Sequence, residues 1–295
     1  LQPAQAVTVA DDGRGALQAL KVKLRPAKGH PIAEGLGGQG MGRAMALGLL
    51  RAGARVAAAD LDGPALARVA EEARGAGKEK ALLTVNADLT QDASAERVVK
   101  HAIEAFGRLD ILVNNAGIGQ ETIRQDFFRA PIRFWEVDPA QWRRVIEVNT
   151  NAQYLMARAA APRMIEQRWG RIINVTTSLD TMIRGGFAPY GPSKAANEAH
   201  VAIMAQDLEG TGVTANVLVP GGPTNTRMIP DETGIDRATL IQPEIMVPPL
   251  LWLASEASDG VTGRRFIAAL WDAGLAPAQA ATSAGAPAAW PSLGR

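Results

Sequence analysis

The chain has no cysteine. Disulfides, thiolate metal sites and cysteine nucleophiles are therefore excluded. Histidine is scarce too: His30, His101 and His200 stand far apart, show no ligand spacing, and read as ordinary surface or core residues. No apolar run approaches the roughly 18 to 20 residues that a membrane-spanning helix needs. The first residues carry Asp11 and Asp12 rather than a basic start followed by an apolar stretch, which speaks against a secretory signal and for a cytoplasmic protein. An excess of one charge is also missing. Lys and Arg number 31 against 30 Asp and Glu, for a net +1, and the two signs are interleaved. Neither nucleic acid nor an acidic membrane surface is an expected partner.

What the chain does have is length and apolar content. With 295 residues, 47% of them hydrophobic, it can form one large α/β domain or two small ones around a sizeable core. Three parts are distinguishable, and there is no internal repeat. Residues 1–30 are rich in Ala, Gly and Pro and show no sustained period. Residues 31–273 alternate short β-branched runs with longer helical patterns. Residues 274–295 are dominated by Ala, Pro, Gly and Ser and are expected to be disordered.

In the middle part, the runs 55–59, 81–86, 111–114, 171–175, 213–219 and 265–268 are apolar throughout, as parallel strands buried on both faces require. Helical spacing occupies 41–52, 64–75, 92–106, 139–168, 191–209 and 243–256. This alternation predicts a single α/β domain: a doubly wound, Rossmann-like, mostly parallel sheet with helices on both faces. Such sheets bind ligands at the carboxyl ends of their strands, and the motifs below fall at those ends.

Gly35, Gly37, Gly38, Gly40 and Gly42 lead into the helical segment 41–52. Glycines let a backbone approach a pyrophosphate closely, and the N–H groups of a helix start point at it. Asp60 ends the next apolar run, where a carboxylate can accept from both ribose hydroxyls of an adenosine and repel a 2′-phosphate. No Arg follows at position 61, so NAD is expected in preference to NADP. The plainer reading of Asp60 is a turn residue, since Asp62-Gly63 follows it.

At this point the chain resembles the short-chain dehydrogenase/reductase family, over roughly residues 35 to 270. The segment Gly38-Gln39-Gly40-Met41-Gly42 fits the second half of the family's Thr-Gly-x-x-x-Gly-x-Gly turn. The first half departs from it, with Gly35-Leu36 at the Thr-Gly position and Pro31-Ile32-Ala33-Glu34 upstream as a poor first strand. Either this is a variant that distorts the edge of the cofactor site, or the N-terminal sequence is altered relative to a functional parent. Further on, Asp88 and Leu89 resemble the family's adenine contacts, and Asn114-Asn115-Ala116-Gly117 is its Asn-Asn-Ala-Gly signature beside the cofactor.

Tyr190 and Lys194, four apart, project from one helix face. Tyrosine ordinarily ionises near pH 10, too high for a base at neutral pH, and a nearby ammonium favours the phenolate. The resemblance implies further roles. Lys194 would hold the nicotinamide ribose. A hydroxyl at the preceding strand end would polarise the carbonyl, with Thr177 at the family spacing and Ser178 one residue closer. Of these two, Ser178 is favoured, because it lacks the extra methyl. Asn149 would support a proton-relay water, Asn151 being the neighbouring alternative. Pro220, Gly221 and Thr226, or Thr224 in its stead, would hold the nicotinamide amide and diphosphate.

The implied activity is NAD(P)-dependent hydride exchange with a secondary alcohol or ketone, in a homodimer or homotetramer built through 139–168, 191–209 and the C-terminal strand. The insertion 120–133, with Phe127 and Phe128 and with Phe134-Trp135 close by, and the loop 226–240 stand where they could wall a substrate pocket. After Phe266 the family's Asp-Gly-Gly is replaced by a segment ending in Trp271-Asp272, so the terminal contact is expected to differ. Two other classes remain open: a catalytically impaired nucleotide-binding or regulatory protein of the same fold, and a dehydratase or epimerase on a nucleotide sugar. The second usually needs a C-terminal substrate domain, for which little length remains after residue 250.

Overall fold

A computed structural model describes the backbone of residues 31–34 and all of residues 40–290. The irregular segment expected at 1–30, and Gly35, Leu36, Gly37 and Gly38 of the phosphate-binding turn, lie outside the described residues. The strands are β1 (Pro31–Glu34), β2 (Arg55–Asp60), β3 (Leu82–Asn86), β4 (Ile111–Asn114), β5 (Gly170–Val175), β6 (Val213–Val219), β7 (Arg264–Ile267) and β8 (Gly285–Pro287). Between and after them run α1 (Gly40–Arg51), α2 (Gly63–Gly75), α3 (Asp92–Phe106), α4 (Pro139–Ile146), α5 (Ala152–Glu166), α6 (Leu179–Ile183), α7 (Tyr190–Asp207), α8 (Val247–Leu253) and α9 (Pro277–Ala284).

The sheet order is β3-β2-β1-β4-β5-β6-β7-β8, parallel throughout except for the last pair. The expected doubly wound Rossmann-like α/β fold is therefore present. The chain winds outward from β1 to β3, then returns to lay β4 on the other side of β1. That reversal opens a crevice at the carboxyl ends, where open α/β sheets bind ligands.

Strand periodicity divides the core into two layers. Val56, Ala58, Ile111, Val113, Ile173 and Leu218 face one layer, with Met45 and Leu49 of α1 and Leu250 of α8. Ala57, Ala59, Leu112, Ile172, Ala215 and Val217 face the other, with Val98 of α3, Met156 of α5 and Val201 of α7. The unpromising segment at β1 does take the central strand position, pairing Ile32 with Val56 on one side and Ile111 on the other. Pro31 stands at the first residue of the strand, where a missing N–H is tolerated.

Two further expectations change. The helix expected over 139–168 is split by a π-helical turn at Glu147–Asn151, a feature common at functional sites. The tail from residue 274, expected to be disordered, is ordered as far as 290, and residues 291–295 lie outside the described residues. Composition misleads here because the apolar platform is supplied by other parts of the chain. Trp252 of α8 stacks with Phe266 and Trp271 at ring distances of 5.5 and 5.7 Å. The small side chains of Ala280, Ala281 and Ala284 let α9 bury itself in the same cluster. β8 then pairs antiparallel with β7 and covers its edge.

Ala280 is fully buried, so Ala280→Glu is expected to lower unfolding free energy by about 2–4 kcal/mol through an unpaired buried charge. Urea denaturation checks it; an unchanged midpoint would mean that the tail is not packed.

Candidate active site

A cleft of about 420 Å³ follows the carboxyl ends of β2, β3 and β4. Gly40 and Met41 at the start of α1 line it, as does Thr226 from the loop after β6. Gly40 has φ +58°, and a Cβ there would come within 2.8 Å of Thr226 Cγ2, so helix start and loop are in direct contact. Gly42 is buried inside α1 and does not reach the cleft.

Asp60 lies on the cleft wall while one of its oxygens accepts the Asp62 N–H at 2.9 Å. The turn reading and the cleft reading thus hold together. Asp62 caps α2 by accepting from the Ala65 N–H and meets Arg227 at 3.2 Å, which ties the loop after β6 to the acidic end of the cleft. Asp88 and Leu89 also line the cleft. The Asp88 carboxylate accepts from the Thr90 hydroxyl at 2.6 Å and the Thr90 N–H at 3.0 Å, and these bonds hold its pKa below the usual value.

After β4, Asn114 donates to Asn174 at 2.9 Å and to the Gln153 carbonyl at 3.3 Å, tying β4 to β5 and α5. Asn115, Ala116 and Gly117 line the cleft. A Cβ at Gly117 would sit 3.2 Å from Asn149 Oδ1 and 3.3 Å from Lys194 Nζ, tighter than ordinary van der Waals contact. A long cleft with an acidic end, a buried Asn115 Oδ1 that has no hydrogen-bond partner, and close-packed glycines at Gly40 and Gly117 fit a nicotinamide dinucleotide.

A second hollow of about 130 Å³ shares Met41, Thr226 and Met228 with the cleft and contains Tyr190. Lys194 is buried one turn further along α7. Its Nζ donates to the Val175 carbonyl at 3.0 Å and lies 5.9 Å from the Tyr190 ring centre. Burial pushes Lys194 down to about 8. Burial also pushes the Tyr190 phenol up to about 12; a hydrogen bond with Thr177 works against that rise, and the charge of Glu121 adds to it. Lys194 is not among the causes acting on Tyr190, so the expected lowering by the lysine is not seen.

Of the two candidate hydroxyls, Thr177 lines the hollow together with Tyr190, whereas Ser178, the one favoured from the sequence, is engaged elsewhere. The chain turns into α6 at position 178, so the Ser178 Oγ is its N-cap, accepting from the Thr181 N–H at 3.1 Å and paired with the Thr181 hydroxyl at 2.7 Å. Thr177 lines the hollow; Ser178 does not. The end of β5 is clamped from behind. Arg265 donates to the Thr177 carbonyl at 2.8 Å and to Glu198 at 3.0 Å, and Glu198 accepts from the Thr176 hydroxyl at 2.8 Å.

Asn149, in the π-helical turn, is fully buried. Its side chain accepts from the Ile118 N–H and donates to the Ile118 carbonyl, both at 2.8 Å, and donates to Ser193 at 2.9 Å. Its own carbonyl accepts from Asn197 at 2.6 Å. Asn149 therefore joins the β4 loop to α7 and flanks Gly117 with Lys194. Asn151 points elsewhere, donating to Glu147 on the exposed face. Pro220 and Thr224 line the hollow. Gly221, with φ +104°, packs on the end of β7, where a Cβ would meet Ala269 at 2.6 Å, and it lines neither cavity.

Sequence reasoning did not single out Glu121, Arg144, Val148 or Arg227, all of which line a cavity. For Glu121 the available signal was its place four residues after Gly117. For Val148 it was the residue before Asn149. Arg227 lies in the loop 226–240 expected to wall a pocket, whereas Arg144 reaches the cleft only through tertiary packing.

A parallel sheet with a switch-point cleft, and a Tyr–Lys pair beside it, define a nucleotide-linked enzyme class. The chain matches the short chain dehydrogenase family model over residues 36–233, and it belongs to that family, whose members bind NAD(H) or NADP(H). It is 37% identical to 1-deoxy-11-beta-hydroxypentalenate dehydrogenase of Streptomyces exfoliatus, over 62% of this chain and 63% of that protein. The chain thus spans less than two thirds of that relative. It is 30% identical to a 3-oxoacyl-(acyl-carrier-protein) reductase of Thermotoga maritima, over 76% of this chain and 90% of the relative. Among solved structures, a 3-ketoacyl-(acyl-carrier-protein) reductase from Brucella melitensis complexed with NADH superposes with TM-score 0.67 at 27% identity, covering 80% of this chain and 95% of that one. No helix among the described residues is long and apolar enough to cross a membrane.

The depressed Lys194 pKa carries a stability signature. Below about pH 8 the lysine is charged in both folded and unfolded states, and the fold bears its full desolvation cost. Between about 8 and its ordinary 10.5 the folded state releases the proton first, so stability rises with pH. Lys194→Met is expected to stabilise the protein by about 1–3 kcal/mol at pH 7, with the gain shrinking towards pH 10. Denaturant titrations across that range measure it; a gain independent of pH would mean that Lys194 is not desolvated.

Proposed function

We propose that the protein is an NAD-dependent oxidoreductase exchanging a hydride with a secondary alcohol or ketone seated in the smaller hollow. The observation that carries this reading is that Tyr190 and Thr177 line a hollow sharing Met41, Thr226 and Met228 with the cleft that ends at Asp60, while Lys194 packs against Gly117 of that cleft. Bound in that cleft, the nicotinamide supplies the hydride acceptor or donor, and its oxidised ring adds a positive charge that favours phenolate at Tyr190.

The chain's own groups divide the remaining work. Thr177 donates a hydrogen bond to the carbonyl oxygen as negative charge develops there. Tyr190 takes the proton from the alcohol or returns it to the alkoxide. Lys194 holds the ribose and, while protonated, stabilises the phenolate. Asn149 keeps the β4 loop and α7 in register, so that Lys194 stays beside Gly117. Arg265 and Glu198 fix the strand end from which Thr177 acts. Asp60 selects NAD over NADP by accepting ribose hydroxyls and repelling a 2′-phosphate. Pro220 and Thr226 border the nicotinamide end. Assembly as a homodimer or homotetramer uses α5 and α7, where Tyr154, Ile165 and Ile203 are exposed.

Titration of NADH and NADPH, followed by nicotinamide fluorescence, is expected to give micromolar binding of NADH and at least about tenfold weaker binding of NADPH. Asp60→Ser should narrow the gap, since removing one like-charge repulsion is worth about 1.4 kcal/mol per tenfold. Absence of binding by either nucleotide would favour a non-catalytic role for the fold. Thr177→Val is expected to cut kcat by about 10²–10³, the usual effect of losing one such donor. Ser178→Ala should leave kcat within about threefold and cost about 1 kcal/mol of stability as a lost cap. The reverse pattern would return the polarising role to Ser178.

A further inference from the structure

Glu121 is a carboxylate in a place built for apolar contact. The hollow beside Tyr190 is walled by Phe127, Phe128 and Phe187, whose rings lie 4.5 to 6.2 Å apart, and by Met228 and Ile229. Among the described residues lining it, Glu121 alone carries a charge. One oxygen, Oε1, accepts the Gly119 N–H at 3.0 Å. The other, Oε2, is buried with no hydrogen-bond partner. Gly119 makes room for it, since a Cβ there would come within 2.5 Å of Oε2. A buried carboxylate oxygen left unpaired is costly, and a hydrogen-bond donor arriving with a ligand recovers that cost.

We propose that Glu121 is the specificity-determining residue of this hollow. It accepts a hydrogen bond from a second, neutral hydroxyl of the substrate, so that the enzyme selects hydroxylated alcohols with an apolar body over simple alcohols and over carboxylates. The reading rests on the oxidoreductase function proposed above and narrows its substrate class. A hydroxyl suits the site better than an ammonium, because Lys194 and the oxidised nicotinamide already bring positive charge to this centre. A carboxylate substrate meets like charge at close range in an apolar enclosure. Burial holds the Glu121 pKa above its usual value, as expected of a carboxylate whose partner arrives only with the ligand. Glu121 and Tyr190 line the same hollow, and the charge of Glu121 adds to the rise of the phenol.

Glu121→Gln is the discriminating variant. The amide oxygen can keep the bond to the Gly119 N–H, leaving an NH₂ donor where Oε2 stood. Three probes of one ring size are compared: cyclohexanol, trans-1,2-cyclohexanediol and 2-hydroxycyclohexanecarboxylate. The wild type is expected to prefer the diol. In the variant the diol-to-cyclohexanol ratio of kcat/KM should fall at least tenfold, while the hydroxycarboxylate-to-cyclohexanol ratio rises. Equal changes for all three probes would overturn the proposal and leave Glu121 as a loop-holding residue. Calorimetric binding of the same probes to the NADH-loaded protein separates this from failure of the parent reading. Diol binding that is tighter in the wild type and lost in the variant, without turnover, keeps the recognition role and removes the redox one. Indifferent binding removes the recognition role.

Discussion

The catalytic centre is organised around the absence of a side chain at Gly117. A single Cβ there would crowd Asn149 Oδ1 and Lys194 Nζ at 3.2 and 3.3 Å. The loop leaving β4 can therefore pass directly between the π-helical turn and α7. Asn149 fastens that passage with bonds to the Ile118 backbone and to Ser193. The groups proposed to act on a substrate are arranged around it: Lys194 on α7, Tyr190 one turn earlier, and Thr177 just beyond the end of β5. Interiors close-packed in this way transmit small volume changes to distant atoms, and for that reason a methyl at Gly117 reaches both the lysine and the asparagine.

Burial sets the electrostatics of the site more than pairing does. Lys194 is pushed down to about 8 and Tyr190 up to about 12, in both cases first by desolvation. The protein alone thus holds its acid–base pair in the uncharged direction on both sides. Positive charge brought to the cleft would shift Tyr190 the other way. Behind the site, the buried Arg265–Glu198 pair holds the end of β5, and Glu198 also accepts from the Ala289 N–H at 3.3 Å. The ordered tail therefore touches the same clamp that positions Thr177.

The parallel sheet, its helices and most of the cofactor cleft were legible from residue pattern, because strands buried on both faces must be apolar throughout and the ligand-facing motifs sit at their carboxyl ends. Asp60, Asp88, Asn115 and Gly117, singled out from these motifs, line the cleft, and Tyr190 lines the hollow. Other features were hidden. Ser178 and Thr177 are chemically alike, and only the start of α6 decides that the first is consumed as a cap. Pro139 only opens α4 and Pro162 lies within α5, and no proline or glycine between Glu147 and Asn151 announces the π-helical turn. The tail looks disordered by composition because Ala is weakly apolar, and its burial depends on Trp252, Phe266 and Trp271 being gathered beneath it.

By itself, then, the sequence determined the fold class and the placing of Tyr190 and Lys194 one turn apart on one helix, since periodicity and a four-residue spacing are local properties that survive without knowledge of neighbours. The tertiary structure decided which hydroxyl lines the hollow with Tyr190, whether the tail is part of the core, and that a buried Glu121 oxygen is left without a partner at the wall of the hollow. Those outcomes depend on which segments, distant along the chain, exclude water from one another. Desolvation and hydrogen-bond satisfaction are properties of that enclosure.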